Sequence, residues 1–220
     1  MVSQEGQNVG VCAVRGNFDD AQSGVKRIFS DPILREDLED KGYFLSSANS
    51  INWGRVLPQI VYYISAYCDL LEGGKIALGD KIDFCVPTGN FGNILAGYYA
   101  KHMGLPVGTL VCASNANNVL TDFLSTGTYD RNRPFYQTAS PSMDILISSN
   151  LERLLALMEG AGDSVSGYMN ELAAHGKYTV RPETAQKIAA EFACGFCDDE
   201  GTKQTIAKLF SEKDYLLDTH

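Results

Sequence analysis

Short apolar runs alternate with amphipathic stretches through the first two thirds of the 220-residue chain. Residues 9–14, 82–86 and 107–112 are mostly apolar and rich in β-branched side chains, which predicts buried strands. Apolar positions recur at helical spacing from Phe18 to Ile28, and again between residues 53 and 71, where Pro58 predicts a kink. The order of these patterns indicates an α/β arrangement, with a further short strand at residues 44–45.

The clearest unit covers residues 82–112. The strand at 82–86 runs into the turn sequence PTGNFGN (87–93), and a helix predicted over 94–103 follows, ended by Gly104 and Pro106. Two strands joined through one helix form a βαβ unit, so we expect a parallel sheet with a right-handed crossover.

The last third changes to helical patterns. Four helices are predicted, over residues 151–159, 163–174, 182–192 and 201–210. We therefore divide the chain into residues 1–45, part of a smaller α/β domain; residues 46–150, an α/β core; and residues 151–220, a mainly helical region.

Composition narrows the classes of function. The chain has 18 Lys and Arg against 27 Asp and Glu, a net charge of −9 that argues against a nucleic-acid surface. No stretch approaches the roughly 18 consecutive apolar residues of a membrane helix, and the polar N-terminus lacks a signal-peptide pattern. The six cysteines lie mostly in apolar runs, which indicates reduced core thiols and a cytoplasmic location.

Cys194 and Cys197 form a lone Cys-x-x-Cys pair after a predicted helix, with Gly195 as its expected C-cap. A zinc site needs four ligands and no second pair accompanies them, so we predict no metal site. Two ordinary thiols are therefore expected, with a redox or metal role as the alternative.

The turn at 87–93 has a candidate chemistry. Glycines let the backbone approach a ligand closely, and the N-terminus of the following helix carries a partial positive charge. The turn is therefore a candidate phosphate cradle at the carboxyl end of a strand, where ligands of open α/β sheets bind. It matches neither the dinucleotide fingerprint nor the nucleotide P-loop, and a plain tight turn needing two glycines is the alternative.

Three segments together resemble the threonine synthase family, in its longer microbial and fungal type. They are GNFDDAQ (16–22), SANSIN (47–52) with Arg55, and PTGNFGN (87–93) with Ala96 and Gly97. The resemblance implies a pyridoxal-phosphate enzyme of fold type II, with the three-layer αβα architecture and parallel sheet of the tryptophan synthase β-subunit. It also implies conversion of O-phosphohomoserine and water to threonine and phosphate, as part of threonine biosynthesis.

The resemblance implies roles for two groups of residues. The loop at residues 89–93 matches the family segment that holds the cofactor phosphate, which makes residues 46–150 the cofactor-phosphate-binding core. A second, polar group resembles the lining of the substrate-phosphate site, and its alternative is a helix-capping turn. The cofactor group is Gly89, Asn90, Phe91, Gly92 and Asn93, and the substrate group is Asn49, Ser50, Asn52 and Arg55.

One expected residue is missing. The family uses a Schiff-base lysine in a Ser/Thr-Phe-Lys-Asp context, and none of the ten lysines of this chain has that context. We therefore expect an internal piece of a longer threonine synthase, inactive by itself and with no catalytic residue of its own. Its truncated surfaces predict self-association. Another lyase of the same fold and a non-catalytic phosphate-binding module are the alternatives.

Overall fold

The computed structural model describes residues 6–16, 18–46, 52–160 and 162–220, and the chain divides between Ser46 and Ser47 into two compact units. The first unit contains two helices, α1 (Phe18–Ser30) and α2 (Pro32–Asp40). Asp31 ends one helix and begins the next, since its carboxylate accepts the N–H groups of Ile33 and Leu34 at 3.0 and 3.2 Å. Pro32 follows it at the first helical position, where a missing N–H costs nothing.

The strands predicted in the first unit are wrong. Residues 10–14 and 43–46 have no regular structure, Val11 and Val14 are exposed, and a single bridge joins Gly6 to Val9. A buried strand needs hydrogen-bonded neighbours, and the described part of this unit provides none. An apolar run alone therefore misled the prediction. The assignment of residues 1–45 to a smaller α/β domain stays a prediction.

The second unit contains eight helices and five strands among its described residues, with two 3₁₀ turns at Leu57–Gln59 and Pro141–Met143. In chain order the elements are α3 (Trp53–Val56), α4 (Ile60–Glu72), β1 (Ile82–Pro87), α5 (Gly92–His102), β2 (Val107–Ser114), α6 (Val119–Thr126), β3 (Thr128–Asp130), α7 (Leu151–Glu159), α8 (Gly162–His175), β4 (Lys177–Thr179), α9 (Pro182–Glu191), β5 (Phe192–Phe196) and α10 (Asp199–Lys213).

The predicted βαβ unit is confirmed. Strands β1 and β2 pair in parallel, with Val86 opposite Cys112, and α5 connects them. The kink at Pro58 is also present, since α3 gives way there to the 3₁₀ turn before α4 begins.

The C-terminal region is mainly helical, as predicted, but it also supplies strands that the pattern did not reveal. Strand β5 is the third strand of the parallel sheet, in the order β1-β2-β5, while β3 and β4 form a separate antiparallel pair. Strand β5 has only five residues, contains Gly195 and follows α9 without a connecting turn. Its alternation of apolar and polar positions is therefore too short to be recognised in the sequence. Gly195 lies in this strand, so its prediction as a helix C-cap was wrong.

Helices flank both faces of the parallel sheet. Leu110 and Cys112 are fully buried on the face covered by α5 and α6, whereas Cys85 belongs to the opposite face. Thr202 and Ile206 of α10 line a cavity of about 370 Å³ with Cys85 on that second side. The α/β fold with a parallel sheet and helices on its two sides is therefore present, although its second side is sparsely covered.

The cysteines only partly match their prediction. All six are free thiols, and Cys112 is buried, but the other side chains are exposed or half-buried. Burial raises the pKa of the Cys112 thiol to about 12. The exposed residues are Cys12, Cys68, Cys85 and Cys197.

Among the described residues, no helix is long and apolar enough to cross a membrane.

Candidate anion-binding site

The glycine loop, residues 89–93, lies where β1 ends and α5 begins. Phe91 adopts the left-handed conformation with φ of 62°, and its ring is buried against Phe192 at a centroid distance of 5.6 Å. A bulky residue is rarely found in this region of φ/ψ space, so the surrounding packing holds the turn in place. The sharp reversal lets α5 start directly at the carboxyl edge of the sheet.

The N-terminus of α5 carries the electrostatic features of an anion site. No side chain caps it, and its first turn contains no acidic residue. The amides of Gly92, Asn93 and Ile94 have no acceptor inside the helix, because the first turn of any helix lacks earlier carbonyls. These N–H groups and the helix dipole therefore favour a negative group at this end.

A cavity of about 180 Å³ opens at the same place. The glycine loop forms most of its wall, and Gln59, Pro87, Thr88, Ile94 and Ser142 complete it. The lining mixes polar and apolar groups and contains no carboxylate, so it does not repel the phosphate group of a small ligand.

Gly89 is required by close packing at the wall of this cavity. A Cβ atom there would lie 2.9 Å from Cδ1 of Ile145 and 3.3 Å from the Cα of Met143. The tip of the Ile145 side chain would have to move, and the backbone at Met143 and Ser142 would have to shift by a few tenths of an ångström, so any larger residue disturbs residues 142–145. Glycine is needed here because of this close packing and not because of a left-handed backbone conformation.

Residues 148–150 hold the loop from outside, and sequence reasoning missed them. The Ser148 hydroxyl donates to the Gly89 carbonyl at 2.9 Å, and both the N–H and the side-chain amide of Asn150 donate to the Asn90 carbonyl, at 3.1 and 2.9 Å. The carbonyl oxygens of Gly89 and Asn90 would repel an anion, and these hydrogen bonds direct them toward residues 148–150. The only signal for them was a polar triplet between Ile147 and Leu151.

The Asn93 side chain has a structural role. Its amide donates to Oε1 of Gln59 at 3.0 Å, and the Tyr63 hydroxyl donates to Oδ1 of Asn93 at 2.7 Å. Burial raises the pKa of Tyr63 well above its usual value, so this hydroxyl keeps its proton. The Asn93 backbone N–H stays available to contact a phosphate.

The predicted substrate-phosphate group is seen in part. Asn52 caps α3, with its Oδ1 accepting the Gly54 N–H at 2.9 Å, which is the alternative role foreseen for it. Arg55 is exposed on α3, and Gln59 connects this helix to the loop by donating to the Arg55 carbonyl at 2.7 Å. Asn49 and Ser50 lie outside the described residues. The role of this group stays a prediction.

The Cys-x-x-Cys pair lies at a different strand end of the same sheet. Cys194 belongs to β5, with its sulfur 3.3 Å from the Ser125 hydroxyl, and Cys197 is exposed just before α10. Asp198 caps that helix by accepting the Gly201 N–H at 2.8 Å, and Asp199 and Glu200 occupy its first turn. An anion is therefore disfavoured there. No described group of three or more His, Cys, Asp or Glu is placed to hold a metal ion.

The fold and this site together define a parallel α/β segment with a candidate anion site between a strand and an uncapped helix. Comparison with known proteins then gives the particular relatives. The chain is 44% identical over its whole length to threonine synthase-like 1 of Homo sapiens, and it covers 30% of that protein. Over 97% of its length it is 39% identical to threonine synthase of Schizosaccharomyces pombe, and it covers 44% of that protein. No family model matches the chain.

Solved structures agree. A pyridoxal-phosphate-bound threonine synthase from Brucella melitensis superposes with a TM-score of 0.80 and 44% identity over 93% of this chain and 42% of that one. Yeast threonine synthase gives a TM-score of 0.79 at 38% identity. The chain is thus a homologue of one segment of threonine synthases and threonine synthase-like proteins, and the resemblance seen in its motifs is confirmed. It spans about 30% to 44% of the length of these curated relatives.

Proposed function

We propose that this chain is the cofactor-phosphate-binding segment of a pyridoxal-phosphate-dependent threonine synthase. The observation that carries the proposal is the uncapped N-terminus of α5 beside the glycine loop, at the carboxyl end of β1. The similarity to threonine synthases, one of them solved with pyridoxal phosphate, supports the choice of cofactor. The whole enzyme would convert O-phosphohomoserine and water to threonine and phosphate in a carbon–oxygen lyase reaction.

The residues of this chain fit the phosphate of that cofactor. Backbone N–H groups at Gly92, Asn93 and Ile94 would hold it, and the close packing of Gly89 against residues 142–145 would fix the loop beside it. Pyridoxal phosphate, when bound, supplies the electron sink that makes a substrate Cα–H acidic. This chain would anchor and orient the cofactor. The loop need not rearrange to do so, because residues 148–150 already fix it.

Arg55 is our candidate for the phosphate of the substrate, with Asn49, Ser50 and Asn52. A guanidinium on an exposed helix can form paired hydrogen bonds to a phosphate. Gln59 bonds both to Arg55 and to Asn93 of the loop, so it would hold the substrate-phosphate position at a fixed distance from the cofactor-phosphate position.

Binding of a cofactor analogue tests the proposal on this chain. Pyridoxine phosphate is suitable because it lacks the aldehyde that would react with surface lysines. Calorimetry should show binding of pyridoxine phosphate at least about tenfold tighter than binding of pyridoxine, since the phosphate supplies the charge-assisted bonds. Equal binding of the two compounds, or binding of neither, would contradict the proposal.

Activity belongs to the longer protein that contains this segment. The purified 220-residue chain should form no threonine from O-phosphohomoserine, because none of its lysines has the family context. Detectable product from the chain alone would overturn that part of the proposal. In the longer protein, an Arg55→Ala variant should raise KM for O-phosphohomoserine while its affinity for pyridoxal phosphate is unchanged. Preference for a substrate without a phosphate would instead indicate another lyase of this fold.

A further inference from the structure

The buried carboxylate Asp144 takes no part in the proposed function. Its side chain is almost fully buried at 6% exposure. Oδ1 accepts hydrogen bonds from the side-chain amides of Asn115 and Asn117, at 2.8 and 3.1 Å, and from the Thr138 hydroxyl at 2.7 Å. Oδ2 accepts the Thr138 backbone N–H at 3.0 Å. Both oxygens are therefore used.

The donors around Asp144 make the network specific for a carboxylate. These four donor groups are all neutral, so the charge is held by oriented dipoles rather than by a cation. A replacement that cannot accept at both oxygens leaves buried donors unpaired, which is costly in a low-dielectric interior. Such a network fixes the position of its central residue.

Asp144 lies at the end of the 3₁₀ turn that forms the outer wall of the glycine loop. Its backbone N–H donates to the Pro141 carbonyl at 3.2 Å. The next residue, Ile145, is the one whose Cδ1 would meet a Cβ on Gly89 at 2.9 Å, and the Ser142 carbonyl lies 3.3 Å from the same point. The wall continues to Ser148, which bonds the loop directly.

The other end of the network is anchored in the sheet. Asn115 directly follows β2, and the Asn117 N–H donates to Oδ1 of Asn115 at 2.9 Å. Asp144 therefore ties the wall of the loop to the end of the central strand. The loop is held between that wall and α5.

We propose that Asp144 is a positioning residue for the glycine loop: it holds residues 142–150 against Gly89 and Asn90, so that the amides of α5 stay aligned for a phosphate. The identity of the ligand rests on the function proposed above, whereas the alignment of the loop does not.

The test compares two buried carboxylates. Asp144→Asn keeps the shape but places an amide donor against Thr138 or against the two asparagine amides, whichever way it turns. Glu159→Gln is the matched control: the side chain of Glu159 is fully buried, and it accepts from Tyr168 and Thr184 at 2.9 and 2.6 Å and pairs with Arg181. It lies at the far end of α7 from residues 148–150.

Two readouts separate a positioning role from a general loss of stability. Amide hydrogen exchange of Asn150 and Leu95, whose N–H groups donate to the Asn90 and Phe91 carbonyls of the loop, should speed up about tenfold or more in Asp144→Asn and stay near wild type in Glu159→Gln under native conditions. Affinity for pyridoxine phosphate should fall by a similar factor in the first variant alone. Thr138→Val, which removes one donor and keeps the carboxylate, should show a smaller change in the same direction and serves where Asp144→Asn does not fold.

Either of two results would overturn the proposal: unchanged exchange of the Asn150 and Leu95 amides in the Asp144 or Thr138 variant, or equal acceleration in Glu159→Gln. Wild-type chain that fails to bind pyridoxine phosphate would contradict the proposed function, but the exchange comparison would still decide the role of Asp144.

Discussion

Two strand-to-helix junctions at the same edge of the parallel sheet have opposite electrostatics. At the β1–α5 junction the helix has no side-chain cap and no acidic residue in its first turn. At the β5–α10 junction Asp198 caps the helix, and Asp199 and Glu200 follow it. Both helices have the same dipole, so the residues at the N-terminus decide whether that dipole is available to a ligand or is satisfied internally.

The difference teaches that position in the fold alone does not define the site. Ligands of open α/β sheets bind at the carboxyl ends of strands, and both junctions are there. Only at the first do a close-packed glycine, an uncapped helix and a cavity without carboxylates coincide. Four variants or measurements test this contrast, and they follow from the largest expected effect to the smallest.

Gly89→Ala should have the largest effect. The new Cβ would collide with Ile145, so the free energy of unfolding should fall by about 1–3 kcal/mol and affinity for pyridoxine phosphate by about tenfold or more. Chemical unfolding and calorimetry measure the two changes. The matched control is Gly195→Ala at the other junction, where a Cβ meets no atom within 4 Å. Comparable losses in both variants would remove the contrast.

Asn93→Asp should weaken phosphate binding by about fivefold, because it adds a carboxylate to the first turn of α5 near the bound anion. The loss should shrink at high salt, which screens the two charges. Titrations at low and high ionic strength measure this. Asn93→Gln, which adds length without charge, is the control, and an equal, salt-independent loss in both would show that only packing had changed.

Asp198→Ala should lower the free energy of unfolding by about 1 kcal/mol, since the Gly201 N–H loses its cap. Affinity for pyridoxine phosphate should be unchanged, because this junction does not bind the anion. Thermal or urea unfolding, with calorimetry on the same sample, reports both quantities. Tighter phosphate binding in this variant would instead place the ligand at the β5–α10 junction, because loss of the Asp198 carboxylate removes a repulsive charge and frees the Gly201 N–H for an anion.

The smallest expected effect is on the thiols of Cys112, in the central strand β2, and Cys197, at the β5–α10 junction. Burial holds the pKa of Cys112 near 12 in the folded chain, above its ordinary value of about 9. Ionisation therefore favours the unfolded state, and the stability that Cys112 contributes is complete below pH 9 and is lost as the pH rises toward 12.

The same burial predicts a difference in thiol reactivity. A neutral-pH alkylating reagent should label Cys197 and leave Cys112 unmodified, and pyridoxine phosphate should not protect Cys197. Mass spectrometry of the digested protein measures this, and rapid labelling of Cys112 would contradict its burial.

Local sequence signals predicted the β1–α5 junction well. The strand, the glycines, and the stop at Gly104 and Pro106 are all encoded within residues 82–106, so the βαβ unit followed from the sequence. Residues 9–14 show the limit of such reasoning, because an apolar run becomes a strand only where another strand can pair with it.

The support of the loop was not predictable in the same way. Asp144, Ser148 and Asn150 are separated from the loop by more than fifty residues, and their polar side chains are typical of any turn. Their contacts with the loop form only in the folded chain, where Ser148 bonds to the Gly89 carbonyl and Asn150 to the Asn90 carbonyl. Likewise, the capping role of Asn52 and an anion-binding role use the same atoms, so the sequence left both open.

Residue-resolved NMR of the labelled chain during titration with pyridoxine phosphate is the most direct test of the central claim. The account predicts that the amide signals of Gly92, Asn93 and Ile94 shift with the added ligand and saturate together, while those of Asp199, Glu200 and Gly201 do not move. Shifts confined to the first turn of α10, or no saturable shift in α5, would contradict the assignment of the phosphate to the glycine loop.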